Sequence, residues 1–95
     1  MESLTHTFSI KALLILMRKS RRMTVGEIAV EMGEPHGSVV HALDAIREAD
    51  LVEAKVRRGE PYEEEILLTP AGKIVAEKLK EIESVIGWTA SGGVT

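Results

Sequence analysis

The stretch Met23–Val52, MTVGEIAVEMGEPHGSVVHALDAIREADLV, decides how this chain folds. Thr24 and Glu27 stand at the spacing of a capping box, in which the threonine hydroxyl satisfies the Glu27 N–H and the glutamate carboxylate reaches back to the Thr24 N–H. Met23 before the cap and Ile28 after it match a hydrophobic staple, and Gly33 is placed to leave the helix in a left-handed conformation. Pro35 then restarts the chain at the head of a second helix. Val39, Leu43 and Ile46 recur there at i, i+4 and i+7 and give it one apolar stripe. Two short helices joined by a Gly-containing turn read as a helix-turn-helix.

Downstream, Leu51, Val52, Ala54 and Val56 predict a strand, with Glu53 and Lys55 on its other face. Arg57-Arg58-Gly59-Glu60-Pro61 reads as a turn, and the return through Tyr62, Ile66 and Leu68 completes an antiparallel hairpin over 52–69. The run Glu63, Glu64, Glu65 is expected on a solvated edge that resists strand-to-strand aggregation. An alternating strand splays such carboxylates to opposite faces, so they are not read as a metal site. Thr69-Pro70 starts a last helix over 70–86. Its Val75, Leu79, Ile82 and Ile86 form a 4-3-4 seam, widened by Ile74 and Val85, that needs a hydrophobic partner. Gly87 ends this helix; Trp88 is expected to be a packing or interface-edge residue, at the head of a flexible tail over 88–95.

Upstream, Met1–Thr7 reads as a loose arm. Ser9 is placed to cap a helix assigned to 8–20, whose Ile10, Ala12, Leu13, Leu14, Ile15, Leu16 and Met17 cover nearly the whole circumference. A helix that is apolar all round needs cover on two sides, which in so small a chain points to another subunit. The alternative is that the C-terminal helix covers it within the same chain.

The 95 residues suit one domain, read as 1–87. At 44% hydrophobic but 3% aromatic, the core must be aliphatic, and base-stacking surfaces are not expected. The absence of cysteine excludes disulfides, thiolate metal sites and a cysteine nucleophile, and fits a reducing cytoplasm. Ala12–Met17, the longest apolar run, is too short to span a membrane, and no export signal is visible. The net charge of −3 is distributed in blocks. Lys11, Arg18, Lys19, Arg21 and Arg22 sit before the motif and Lys55, Arg57 and Arg58 after it, while the motif carries Glu27, Glu31, Glu34, Asp44, Glu48 and Asp50.

The predicted order, helix-helix-helix-strand-strand-helix, is mainly α with a small β-hairpin, and a helix-turn-helix followed at once by a hairpin is the winged helix arrangement. Three stretches carry a resemblance to the MarR/ArsR-type winged helix regulators. TVGEIAVEMGEPHGSVVHALDAIREADLV resembles the family's helix-turn-helix and its exit, RRGEP resembles the wing tip, and LLTPAGKIVAEKL resembles the helix start after the wing. The resemblance implies a homodimer that places the second motif helix in the DNA major groove and the wing on phosphates or the minor groove. A two-fold dimer of this kind reads half-sites about one helical turn apart, ~34 Å. Leu13, Leu16, Val75, Leu79, Ile82 and Ile86 are the expected dimerisation residues.

With Val39, Leu43 and Ile46 in the core, the opposite face of the second motif helix presents His36, Gly37, Ser38, Val40, His41 and Asp44. His36, Ser38, Val40, His41 and Arg47 are the candidates for base or phosphate contact, Val40 through a thymine methyl. No arginine or lysine appears on this face until Arg47, whereas the family's recognition helix carries one near the position of His41. The cations that remain are in the wing, where Lys55, Arg57 and Arg58 can neutralise phosphates or enter a narrow minor groove. Arg18, Lys19, Arg21 and Arg22 fit either phosphate contact or the favourable placement of cations at a helix C-terminus.

No metal or other cofactor is expected, since His36 and His41 are five apart and point in different directions. The chain lacks a phosphate loop, a nucleophile elbow and a paired carboxylate in an apolar setting, so no catalytic residue is assigned. The expected partner is double-stranded DNA. The competing reading is a winged helix module for protein–protein assembly, toward which Asp44, Glu48 and Val40 lean. Any small-molecule effector would use a pocket within this domain or at the dimer interface.

Overall fold

The computed structural model describes residues 2–57 and 63–86, with side chains over 7–56 and 64–85. The turn expected at the wing tip, apart from the backbone of Arg57, lies outside the described residues, as do Gly87, Trp88 and the tail. Among the described residues the order is α1 (Glu2–Lys19), β1 (Met23–Thr24), α2 (Val25–Met32), α3 (His36–Glu48), β2 (Val52–Arg57), β3 (Glu63–Leu68) and α4 (Pro70–Ile86).

The capping box forms as its residues require. Thr24 N–H donates to Glu27 Oε1 at 2.9 Å, and Glu27 N–H donates to Thr24 Oγ1 at 3.1 Å. Met23 and Ile28, the staple pair, are both fully buried. Gly33 closes α2 at φ 72°, so that the Gly33 and Glu34 N–H groups reach back to the Ala29 carbonyl at 2.8 and 3.2 Å. Pro35 caps α3 with extended ψ 149°, so the helix begins at His36 and not at the proline. The fixed proline φ suits either position, and the extended ψ selects the cap.

Asp50 plays the part at the end of α3 that Gly33 plays at the end of α2. It sits at φ 63°, and the following Leu51 N–H donates to the Ile46 carbonyl at 3.0 Å. A side chain in this conformation is strained, while glycine is free of that strain but more flexible when unfolded. Asp50→Gly is therefore expected to stabilise the fold by about 0.5 kcal/mol, read as a raised denaturant midpoint at constant slope.

The amino-terminal reading needs correction. The residues assigned to a loose arm are helical from Glu2, and Ser9 is an interior helical residue instead of a cap. Its buried hydroxyl donates to the Ala42 carbonyl of α3 at 3.1 Å. A serine that finds a tertiary acceptor has no need to end a helix. The second side of α1 is also covered within the chain. Ala12 through Leu16 are all buried, with Leu13 at 3% and Leu16 at 2% exposure, against α3, α4 and the sheet. Leu13 and Leu16, expected at a dimer interface, are thus committed to the core of a single chain.

The wing is part of a three-stranded antiparallel sheet, where the sequence predicts a two-stranded hairpin. Its order is β1-β3-β2; Met23 pairs with Ile66 and Thr24 with Glu65, while Ile66 and Glu65 pair on their other side with Ala54 and Lys55. The acidic run therefore does not lie wholly on an edge: Glu65 is on a central strand, with the Arg22 guanidinium 3.9 Å from its carboxylate. On β2 the apolar side fades toward the tip, and Val56 is exposed where the core no longer reaches.

Thr69 joins the sheet to α4. Its hydroxyl accepts from the Gly72 N–H at 2.9 Å and donates to the Asp50 carbonyl at 2.7 Å, while its own N–H donates to the Leu51 carbonyl at 3.0 Å. Further along α4, Ala76 is fully buried and Val75 and Leu79 pack on the core. Ile74, Ile82 and Val85 are left 60, 52 and 83% exposed. The expected seam is thus divided: its first half belongs to the core and Ile82 lies outside it, while the Ile86 side chain is outside the described residues.

Candidate nucleic-acid interface

Val39, Ala42, Leu43 and Ile46 anchor α3 in the core. A 13-residue helix seated by one face holds its opposite face rigidly toward solvent. His36, Gly37, Val40, His41, Asp44, Arg47 and Glu48 are exposed there, and Ser38 is half-buried at the rim. The motif residues named from sequence thus share one surface, apart from the partial burial of Ser38. Ala42, absent from the expected stripe, is fully buried as well, and its carbonyl accepts the Ser9 hydroxyl of α1.

Lys55 is exposed on β2, opposite Glu65 in the ladder. Arg57 ends that strand opposite Glu63, and its side chain lies outside the described residues, as does the whole of Arg58.

The cations preceding the motif face its acids. Arg18 and Lys19 approach the Glu31 carboxylate at 3.4 and 3.3 Å, and Arg21 approaches Glu27 at 3.5 Å. Exposed pairs of this kind add little stability. Their consequence is electrostatic: they offset the negative charge of α2 beside α3. Periodicity along one helix cannot reveal such pairings, because α1 and α2 meet only in the folded chain.

Among the described residues no group of three or more His, Cys, Asp or Glu could hold a metal ion, and no helix is long and apolar enough to cross a membrane. The apolar patch missed by the expected dimerisation set is on α4, where Ile74 and Val85 are more exposed than Ile82. Their signal was the width of the apolar stripe, which exceeds what one packing face uses.

No protein-family model and no curated protein matches the chain. Solved structures share its architecture. A MarR-family transcriptional regulator from Silicibacter pomeroyi superposes with a TM-score of 0.75 at 24% identity, covering 94% of this chain and 59% of that one. A PadR-like transcriptional regulator from Bacillus cereus gives 0.76 at 15% identity, covering 92% and 90%. A protein from Archaeoglobus fulgidus gives 0.72 at 23% identity, covering 82% and 86%. The chain has the winged helix fold found in MarR-family and PadR-like regulators, and it spans about three fifths of the length of the Silicibacter protein.

Proposed function

We propose that this chain is a DNA-binding transcriptional regulator that acts as a homodimer, with α3 in the major groove and the wing on phosphates or in the minor groove. The observation that carries this reading is the display of His36, Val40, His41 and Arg47 on the free face of a helix whose other face is locked in the core. The regulators that share the fold support it. In this reading His36, Ser38 and His41 hydrogen-bond bases or phosphates, and Val40 meets a thymine methyl. Because the α3 face carries a single arginine, affinity depends on Lys55, Arg57 and Arg58 of the wing. Dimerisation uses the uncovered part of the α4 stripe, Ile74, Ile82 and Val85, together with the flanking Val75, Leu79 and Ile86. No catalytic role is assigned.

Binding to duplex DNA is expected to weaken steeply with added salt, and replacing Arg57 and Arg58 together by alanine should flatten the log–log slope by about 2 per protomer. Titration of a labelled duplex across salt concentrations measures both. The second reading, a module for protein–protein assembly, draws on the exposed Asp44 and Glu48, which face solvent on the same helix. Absence of duplex binding even at low salt would favour it.

A further inference from the structure

Ile74, Lys78, Glu81 and Val85 recur along α4 at 4-3-4 spacing, one residue out of phase with the stripe of Val75, Leu79, Ile82 and Ile86. That spacing puts all four on one side of the helix. All four are exposed, and the half-exposed Ile82 flanks them. Among the described residues, neither Lys78 nor Glu81 has an ion-pair partner within the chain. We propose that a second copy covers this row with its own, the two α4 helices running antiparallel, with Ile74 level with the second copy's Val85 and Lys78 level with its Glu81. This pairing rests on the homodimer reading above and adds to it a face, a direction and a register.

The row is complementary to itself. A 4-3-4 spacing reads the same in both directions, so a two-fold axis that reverses the helix brings each member level with another member of the row. The end residues are both apolar, and the middle two carry opposite charges. One register therefore joins Ile74 to Val85 and Lys78 to Glu81, and each contact occurs twice, as a two-fold interface requires. Lys78 stands one residue from the level of the second copy's Ile82, where its methylene stem covers the isoleucine while the ammonium reaches the Glu81 carboxylate. The alternatives bring like charges together. A parallel pair puts Lys78 beside Lys78 and Glu81 beside Glu81, and an antiparallel pair with Ile74 level with Ile82 is centred on Lys78 against its own copy.

The chain has no cysteine, so thiols introduced into it meet no competitors. In the double variant Ile74→Cys with Val85→Cys, oxidation should join most chains into dimers on a non-reducing gel. The two positions stand about 16 Å apart along one helix, too far to close a disulfide within a chain. Each single variant should stay largely uncrosslinked. In sedimentation equilibrium, Lys78→Glu and Glu81→Lys should each weaken the dimer by about tenfold or more with the far-ultraviolet circular dichroism retained. The two together should restore it to within a few-fold of wild type. Ile74→Cys alone cross-linking as completely as the double variant, or a double charge swap no better than its single members, would overturn the pairing and leave a homodimer standing. A wild-type chain that stays monomeric at every concentration would overturn the homodimer reading and the pairing with it. Neither measurement depends on whether the protein binds DNA.

Discussion

Gly72→Ala should destabilise the protein by about 3 kcal/mol, at the upper end for overpacking a buried site. Gly72 lies in the first turn of α4, where a Cβ would overlap the Leu51 carbonyl oxygen and stand 3.2 Å from Leu68 Cδ2. The obstruction is backbone, which has no alternative rotamer. Relief requires α4 to withdraw from the start of β2, and this pulls on the Thr69 hydroxyl that bridges the Gly72 N–H and the Asp50 carbonyl. The Leu51 carbonyl also accepts the Thr69 N–H, so several bonds share the strain. At about 4–8 °C per kcal/mol for a domain of this size, the melting temperature should fall by roughly 12–24 °C. Thermal unfolding followed by circular dichroism measures it; a fall of only a degree or two would mean that the helix and strand do not meet so closely. Gly37 is the internal control, since a Cβ there meets nothing within 4 Å.

In the proposed homodimer, Ile82→Glu should separate the two copies without unfolding the protomer, and should weaken the proposed duplex binding by about 100-fold or more. Ile82 is half exposed in the single chain, so the substitution removes little from the protomer's core. In a dimer formed through the exposed α4 stripe it would bury a carboxylate in an apolar interface, which is strongly unfavourable. The large effect on DNA follows from linkage of two reading heads, where the second half-site engagement is effectively intramolecular and avidity gains reach 10²–10⁴. Leu79→Glu is a poorer test because Leu79 packs on the protomer's own core. Sedimentation of wild type and variant, with a duplex titration at one salt concentration, decides the matter. A wild-type chain that sediments as a monomer would remove the dimer and the avidity together.

The two expectations differ in what they required. Ile82 was visible in the sequence as part of an apolar seam, whereas the clash at Gly72 was not, since a glycine in the first turn of a helix has no spacing that identifies its neighbour. The same division runs through the candidate interface. The solvent face of α3 was legible because helical geometry places His36, Val40 and His41 opposite Val39, Leu43 and Ile46 whatever lies beneath. The neutralisation of Glu27 and Glu31 by Arg21, Arg18 and Lys19 was not, because those partners come from the preceding helix and turn.

By itself the sequence determined the elements whose signals are local: the Thr24–Glu27 box, the left-handed Gly33, the Thr69-Pro70 start and the apolar stripe of α3. Each is set by hydrogen bonds or sterics within a few residues, so a single sequence suffices to read it. Only the tertiary structure decided that Met23 and Thr24 add a strand beside β3, that Ser9 bonds across to Ala42 instead of ending a helix, and that Leu13 and Leu16 are buried in one chain. A two-residue strand is too short to show alternation, and an apolar helix does not record which neighbour covers it. Those outcomes depend on contacts between residues far apart in the chain, and they exist only once α1, the sheet and α4 have packed together.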